Sequence, residues 1–214
     1  MNIAILGGTG KEGVGLAARW ALAGHGIIIG SRDAERAKAR AIELRELTRK
    51  LTIVGHANAE AAELGEIVVV ALPANGLAAT LPPLVDACRG KVVVSTVVAL
   101  DFKGPRLFTP PAPGSSAEEV QALLPGARVV AGFQHIAAHE LVDIQETIDC
   151  DLLLCGDESS AKQVVTDLGA SMGLRAFDAG PLSNAGPLEG MTALLATLNR
   201  RYKVKSAGIR ITGL

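Results

Sequence analysis

The chain has 214 residues, a mean hydropathy of +0.32, and 21 basic against 22 acidic residues. That is enough chain for one domain with its own core plus a small annex, and it excludes wholesale disorder and a basic nucleic-acid stripe. No apolar run approaches the ~20 residues of a membrane span. Met1 leads straight into a strand-like run with no basic leader, so a soluble cytoplasmic protein without a signal peptide is expected. Partners should be small molecules, with no nucleic acid and no membrane. Cys88, Cys150 and Cys155 are an odd, sparse set, best read as small buried hydrophobes.

Asn2 to Leu6 is a short apolar strand that ends in Gly7-Gly8-Thr9-Gly10. A helix from about Glu12 to Ala23 follows, stopped by Gly24-His25-Gly26. Ile27 to Ile29 does not alternate and so predicts a strand buried on both faces. Ser31-Arg32-Asp33 starts a charged helix to about Arg49. Leu51 to Val54 is a third strand, Asn58 to Leu64 a short helix, and Glu66 to Leu72 a central fourth strand. A proline-interrupted helical stretch, Asn75 to Cys88, precedes a fifth strand at Lys91 to Ser95. Pro105, Pro110, Pro111 and Pro113 then preclude regular structure from Asp101 to Ser116, a long loop suited to a lid, a binding loop or a dimer contact.

Ser116 with Glu119 predicts a capping box for a helix to about Leu124. Arg128 to Ala131 is a sixth strand, followed by a helix near Ala137 to Val142, a strand at Asp151 to Cys155 and a helix at Ser159 to Met172. Leu174 to Phe177 is a last strand, leading to a helix from Pro181 to about Arg200. Ala207 to Leu214 reads as a strand or an ordered tail. Strands alternating with helices give an α/β fold, a Rossmann-type doubly wound parallel sheet with a small C-terminal α/β annex. A boundary near Gly132 divides it into a nucleotide-binding domain, 1–132, and a small domain, 133–214, that completes the substrate cleft.

Gly8-x-Gly10-x-x-Gly13 falls between the first strand and the first helix, the context that makes the spacing specific. Gly8 permits the tight turn, Gly10 lets backbone approach a pyrophosphate, and Gly13 lets helix and strand pack closely. The amides at the helix start then face the phosphates. NAD-binding chains place Asp or Glu at the end of the second strand, and here it is Gly30-Ser31-Arg32. Arg32, Ser31 and Arg36, one turn further on, attract a 2′-phosphate where a carboxylate would repel it, so NADP is expected over NAD. His25 and His56 read as structural or solvated. His135 and His139 are spaced to share a helix face, but no third ligand accompanies them and no metal site is expected. His135 follows the sixth strand at its carboxyl end, where ligands bind in open parallel sheets, so a polar contact to a second substrate is expected there.

These residues resemble the NADPH-dependent coenzyme F420 reductases, or F420-dependent NADP oxidoreductases, over nearly the whole chain. Ile5 to Gly13, Gly30-Ser31-Arg32, Cys155-Gly156-Asp157 with Ala161-Lys162, Asp178 to Asn184, and Gly208-Ile209-Arg210 with Thr212-Gly213 carry the resemblance. It implies hydride transfer between deazaflavin C5 and nicotinamide C4, with NADP(H) as cofactor, F420 as small-molecule redox co-substrate, and a homodimer. Such chemistry belongs to the cofactors, which fits the lack of a nucleophile–base arrangement. Thr9, Gly10, Lys11 and Glu12 carry over as pyrophosphate-loop residues, Ser31, Arg32 and Arg36 as the 2′-phosphate site, and Leu72-Pro73 as the segment beside the nicotinamide ribose. Ile136 and Thr192 stand where the family lines the deazaflavin pocket. No catalytic residue is assigned; Gln134, His135, Ile136 and Thr192 are expected to position the substrate. The chain departs from the family at Ala74, Gln134, His135 and Gly186, all on the deazaflavin side. A reductase of a flavin, ferric chelate or imine, or a non-catalytic NADP-binding module, is the alternative.

Overall fold

Each apolar run read as a strand becomes one: β1 (Asn2–Leu6), β2 (Gly26–Ser31), β3 (Ile53–Ala57), β4 (Ile67–Val70), β5 (Val92–Ser95), β6 (Arg128–Gly132), β7 (Leu152–Gly156) and β8 (Ala176–Asp178). The computed structural model describes residues 1–214. All eight strands join one sheet in the order β3-β2-β1-β4-β5-β6-β7-β8. β1 to β6 pair parallel in the doubly wound order. β7 then runs antiparallel to β6, and β8 parallel to β7. This departs from an all-parallel reading. The link from β6 to β7 contains a single five-residue helix, which packs against the first helix instead of bridging β6 and β7. An antiparallel return needs no crossover.

The helices are α1 (Lys11–Leu22), α2 (Ala34–Thr48), α3 (Asn58–Leu64), α4 (Leu77–Thr80), α5 (Val85–Cys88), α6 (Ser116–Leu123), α7 (Ala138–Val142), α8 (Ser159–Ser171) and α9 (Ala185–Tyr202). Strand side chains alternate between two cores. Ile3, Ile5, Ile27, Ile29, Val69 and Val94 pack under α1, α2, α7 and α8. Ala4, Leu6, Ile28, Val68, Val70 and Val93 pack under α3 to α6 and α9. Both faces are therefore covered, as non-alternating strands require. Each fully buried Val, Leu or Ile contributes about 1.5–3 kcal/mol. Trp20 of α1 meets Phe133 edge-on, with centroids 5.4 Å apart, and donates its indole N–H to the Leu168 carbonyl at 3.1 Å. All three cysteines are free and buried in these cores, and burial pushes the Cys155 thiol up to about 11.

Several boundaries differ from the sequence reading for local reasons. Ser115 caps α6, one residue earlier than expected: it is extended, with φ −153°, and its Oγ accepts the Glu118 amide at 3.0 Å. The last helix begins at Ala185, because Leu182–Asn184 forms a 3-10 turn. That turn is built by the residues that carried the resemblance. Asp178 accepts the Gly180 amide at 2.9 Å, Gly180 has φ +100°, and Asn184 Nδ2 donates to the Ala179 carbonyl at 2.7 Å. Residues 207–214 are an ordered tail without a strand. The buried Asp151 carboxylate takes Arg175 Nε at 2.9 Å, Arg175 Nη2 at 2.6 Å and the Ile211 amide at 2.7 Å, fastening that tail to β7. The sheet continues across Gly132, which is in register with Leu154.

Candidate active site

The carboxyl ends of the strands bring the expected ligand residues to one edge. Leu6 is in register with Gly30 on one side and Val70 on the other, Val70 with Ser95, and Ser95 with Ala131. The segments that leave those residues, Gly7–Gly10, Ser31–Arg32, Ala71–Ala74, Thr96 and Phe133–Ile136, therefore border one crevice. β1 is where the strand order reverses, the place where open α/β sheets bind ligands.

At the glycine loop, a Cβ on Gly8 would stand 2.8 Å from the Ile5 carbonyl oxygen, and one on Gly13 would stand 2.7 Å from Gly8 Cα. Gly7 has φ +74°, and a side chain there would meet the Ala71 carbonyl oxygen at 2.7 Å. A Cβ on Gly10 would meet nothing nearer than 3.6 Å, so its face is open to a ligand. Gly10 caps α1 without a side chain, and the Lys11, Glu12 and Gly13 amides find no acceptor in the protein. Unpaired donors at a helix start are a ready anion site.

At the end of β2, Ser31 is buried and its Oγ accepts the Asp33 amide at 3.2 Å. Asp33 is the N-cap of α2, accepting the Glu35 and Arg36 amides at 3.0 and 3.2 Å. Glu35 pairs with Lys38 at 2.8 Å. The two nearby acids are thus committed elsewhere, and Arg32 and Arg36 are exposed with no ion-pair partner.

Glu12 has a carboxyl oxygen buried without a partner. Burial pushes this carboxyl up to about 7, with the Thr96 hydroxyl pulling the other way. Asn58, which begins α3 beside Gly30, likewise has its Oδ1 buried and unpaired. Nothing in the sequence spacing pointed to Asn58 or Thr96; they reach the crevice only through strand register.

On the far side of the crevice, Phe133 is held at φ +71°, a costly conformation for a bulky residue, clamped by Trp20. Gln134, His135 and Ile136 follow, all buried. Both polar atoms of the Gln134 amide lack partners. His135 Nε2 lies 2.9 Å from the Asp151 carbonyl and 3.2 Å from the Leu153 amide, and burial lowers its pKa, so the ring is neutral. It precedes α7 and shares no helix face with the exposed His139. Ile136 packs in the core on the α1 side, whereas Thr192 lies on α9 of the opposite face, its hydroxyl turned to the Leu188 carbonyl at 3.5 Å. No hydrogen bond joins Thr192 to Gln134 or His135.

A family model described as NADP oxidoreductase, coenzyme F420-dependent, matches residues 2–99, which include the whole glycine loop. Over the full chain, 42% of residues are identical with an F420-dependent NADP reductase of Methanocaldococcus jannaschii, covering 100% of this chain and 99% of that one. The chain belongs to this family. Another F420-dependent NADP reductase, from Methanothermobacter marburgensis, is 41% identical over 100% of this chain and 99% of its own. The crystal structure of a candidate F420-dependent NADP reductase from Arthrobacter sp. FB24 superposes with a TM-score of 0.85 at 27% identity, covering 99% of both chains. An imine reductase from Bacillus cereus, 17% identical with a TM-score of 0.61 over 94% of this chain and 62% of that one, shares the fold. Membership in the F420-dependent NADP oxidoreductases makes the departure at Gly186 explicable. A Cβ there would stand 2.7 Å from the Gly114 carbonyl oxygen, because the proline-rich loop closes onto α9 at that point.

Proposed function

We propose that the chain transfers a hydride between NADP(H), held on the glycine loop, and the deazaflavin coenzyme F420. The observation that carries this reading is the loop itself: an open Gly10 face and three unpaired amides at the start of α1, in a chain related over its full length to F420-dependent NADP reductases. The bound nicotinamide and deazaflavin supply the redox chemistry. The chain's own residues bind, orient and exclude water. Gly8, Thr9, Gly10, Lys11, Glu12 and Gly13 take the pyrophosphate, Ser31, Arg32 and Arg36 the 2′-phosphate, and Leu72-Pro73 the nicotinamide ribose. The lack of any acid paired with Arg32 or Arg36 supports the NADP assignment.

Residues 1–132 hold the nucleotide and 133–214 complete the cleft. Gln134, with an unpaired buried amide, is the polar group best suited to fix the deazaflavin, while His135, tied to the β7 backbone, positions the loop. Ile136 and Thr192 line the pocket from opposite faces of the sheet. An exposed apolar stripe on α9, Leu194 (65% exposed), Leu198 and Tyr202 (66%), lies near Phe102 of the proline-rich loop, over which Arg200 stacks at 5.6 Å. That stripe supports a homodimer, which sedimentation at two concentrations tests. No helix is long and apolar enough to cross a membrane, and a cytoplasmic location is consistent with that.

Mixing the protein with NADPH and F420 and following deazaflavin and nicotinamide absorbance together tests the activity. Loss of both signals in one-to-one proportion is expected. Turnover with a flavin, ferric chelate or imine in place of F420 overturns the substrate, and NADPH binding without any turnover reduces the chain to a binding module.

A further inference from the structure

Glu12 stands in the first turn of α1, at the loop proposed to take the pyrophosphate. It is the second residue of α1, its amide is among the unpaired donors, and its Oε1 is buried without a partner. It takes part in no ion pair. Lys11 beside it is exposed. Arg19 of the same helix spends its guanidinium on carbonyls of α7 and the segment after it. On α7, Glu140 interacts with His139, Arg19 and Asp149, and neither it nor His139 acts on Glu12. The ends of β1, β4 and β5 offer Leu6, Val70 and Ser95, none of them charged, and no charged group of β2 or α2 acts on it. The sole side chain that does is Thr96.

Thr96 has a single hydroxyl proton, which the Val70 carbonyl claims at 3.2 Å. It cannot fully satisfy a carboxylate, whereas its Oγ accepts from a carboxylic acid without conflict. A carboxylate would also compete with the pyrophosphate for the same helix start, like charge against like. The carboxyl already hovers near neutrality without that repulsion, at about 7. A pyrophosphate can only move it upward.

We propose that Glu12 enters the cofactor complex as a neutral carboxylic acid, so that binding of NADP(H) at alkaline pH carries one proton from solvent onto the Glu12 carboxylate and release returns it. This rests on the glycine loop being the NADP site. Thermodynamic linkage then makes affinity fall as pH rises through the free carboxyl's range, by roughly twentyfold between about pH 6.5 and 8.5.

The test titrates the full-length protein with NADPH by calorimetry across that range, for wild type and Glu12→Gln, and repeats the wild type at the alkaline end in two buffers of different ionisation enthalpy. Alkaline weakening in wild type, its loss in Glu12→Gln, and uptake of close to one proton are expected. The 2′-phosphate, with its second ionisation near ~6, weakens binding toward acid, the opposite direction, and does so in both proteins. His56, in register with Gly30 and 2.9 Å from Glu60, is a neighbouring group that both proteins share. A Glu12→Gln protein that keeps the wild-type slope assigns the effect to such a group and overturns the proposal. So does a wild type that takes up no proton at the alkaline end, a readout that does not depend on the variant folding. NADPH binding at no pH overturns the cofactor site beneath it, a distinct result.

Discussion

Gly15 of α1 lies flush against Leu141 of α7: a Cβ on the glycine would stand 2.8 Å from the Leu141 carbonyl carbon and 3.0 Å from the next amide nitrogen. α1 begins at the glycine loop, and α7 follows Gln134 to Ile136. The contact therefore fixes the spacing between the glycine loop and the Gln134–Ile136 segment. Gly15→Ala should force α7 outward, costing about 1–3 kcal/mol of stability as overpacking does. It should raise KM for F420 more than KM for NADPH, since the glycine loop lies upstream of the strain. Steady-state kinetics with each substrate varied in turn separates the two, and an equal rise in both would refute the idea of a one-sided displacement.

Arg19 reinforces the same junction. Its Nε donates to the Leu141 carbonyl at 3.0 Å, and its Nη2 to the carbonyls of Glu140, Asp143 and Glu146 at 2.6, 2.8 and 3.0 Å. These close the carboxyl end of α7, a five-residue helix with little stability of its own. Arg19→Ala should lower the unfolding free energy by about 2 kcal/mol, given hydrogen bonds from a charged donor that is partly exposed. Arg19→Lys should recover little, because an ammonium cannot reproduce the planar fork. Urea unfolding measures the loss, and amide exchange over residues 138–146 should accelerate in both variants; unchanged protection there would count against the clamp.

Much of this was legible in the sequence, and the rest was hidden for identifiable reasons. Runs such as Val68-Val69-Val70 announce a strand covered on both faces, and Gly8, Gly10 and Gly13 announce a phosphate turn, because each depends on a local period or spacing. The Ser116–Glu119 pair was displaced by one residue because Ser115 and Ser116 are equally good caps in composition, and only the backbone angle of Ser115 distinguishes them. The direction of β7 depends on where α7 packs, a contact with α1 far away in the chain. Arg19's partners begin 121 residues later, and the burial of the Glu12 carboxyl depends on how α1 meets the ends of β4 and β5. No periodicity encodes such meetings. The His135–His139 spacing predicted a shared helix face that does not form, because the chain is still irregular at His135 and its ring is drawn to the β7 backbone.

Cofactor choice should turn on Arg32. Its guanidinium and that of Arg36 are the unpaired cations at the end of β2, while Asp33 is occupied as a helix cap. Arg32→Ala should weaken NADPH binding by roughly 10- to 100-fold, ~1.4–2.8 kcal/mol, and leave NADH binding nearly unchanged, since NADH has no 2′-phosphate. The preference of the wild type for NADPH should shrink as salt screens these exposed charges. Titrating both nucleotides at low and high salt checks this, and a wild type that binds NADH as tightly as NADPH at low salt removes the assignment.

Stability should decline with rising pH between about 4.5 and 7 because of Glu189. This α9 carboxyl is fully buried and accepts the Ser116 and Ala117 amides at 3.1 and 3.2 Å, closing the start of α6 from across the fold. Burial raises its pKa from 4.5 to about 7, outweighing those amides, which lower it. A pKa higher in the folded state means that the folded state binds the extra proton. Its contribution is complete below the unfolded value of 4.5 and is lost as pH climbs through about 7, a change of about 1–3 kcal/mol. Asp151 and Asp178, whose pKa values are lowered from 3.8, contribute stability above that value and lose it only toward stronger acid, outside this window. His25 and His135 are lowered from 6.5 and gain stability as pH rises, so they work against the Glu189 trend and are common to wild type and variant. Glu189→Gln keeps an acceptor for one of the two amides and cannot titrate. Denaturant unfolding of both proteins across this window should show wild type losing stability relative to Glu189→Gln as pH rises, and a wild type that gains on the variant over the same range would reverse the sign and place the buried carboxyl's charge, not its proton, at the helix start.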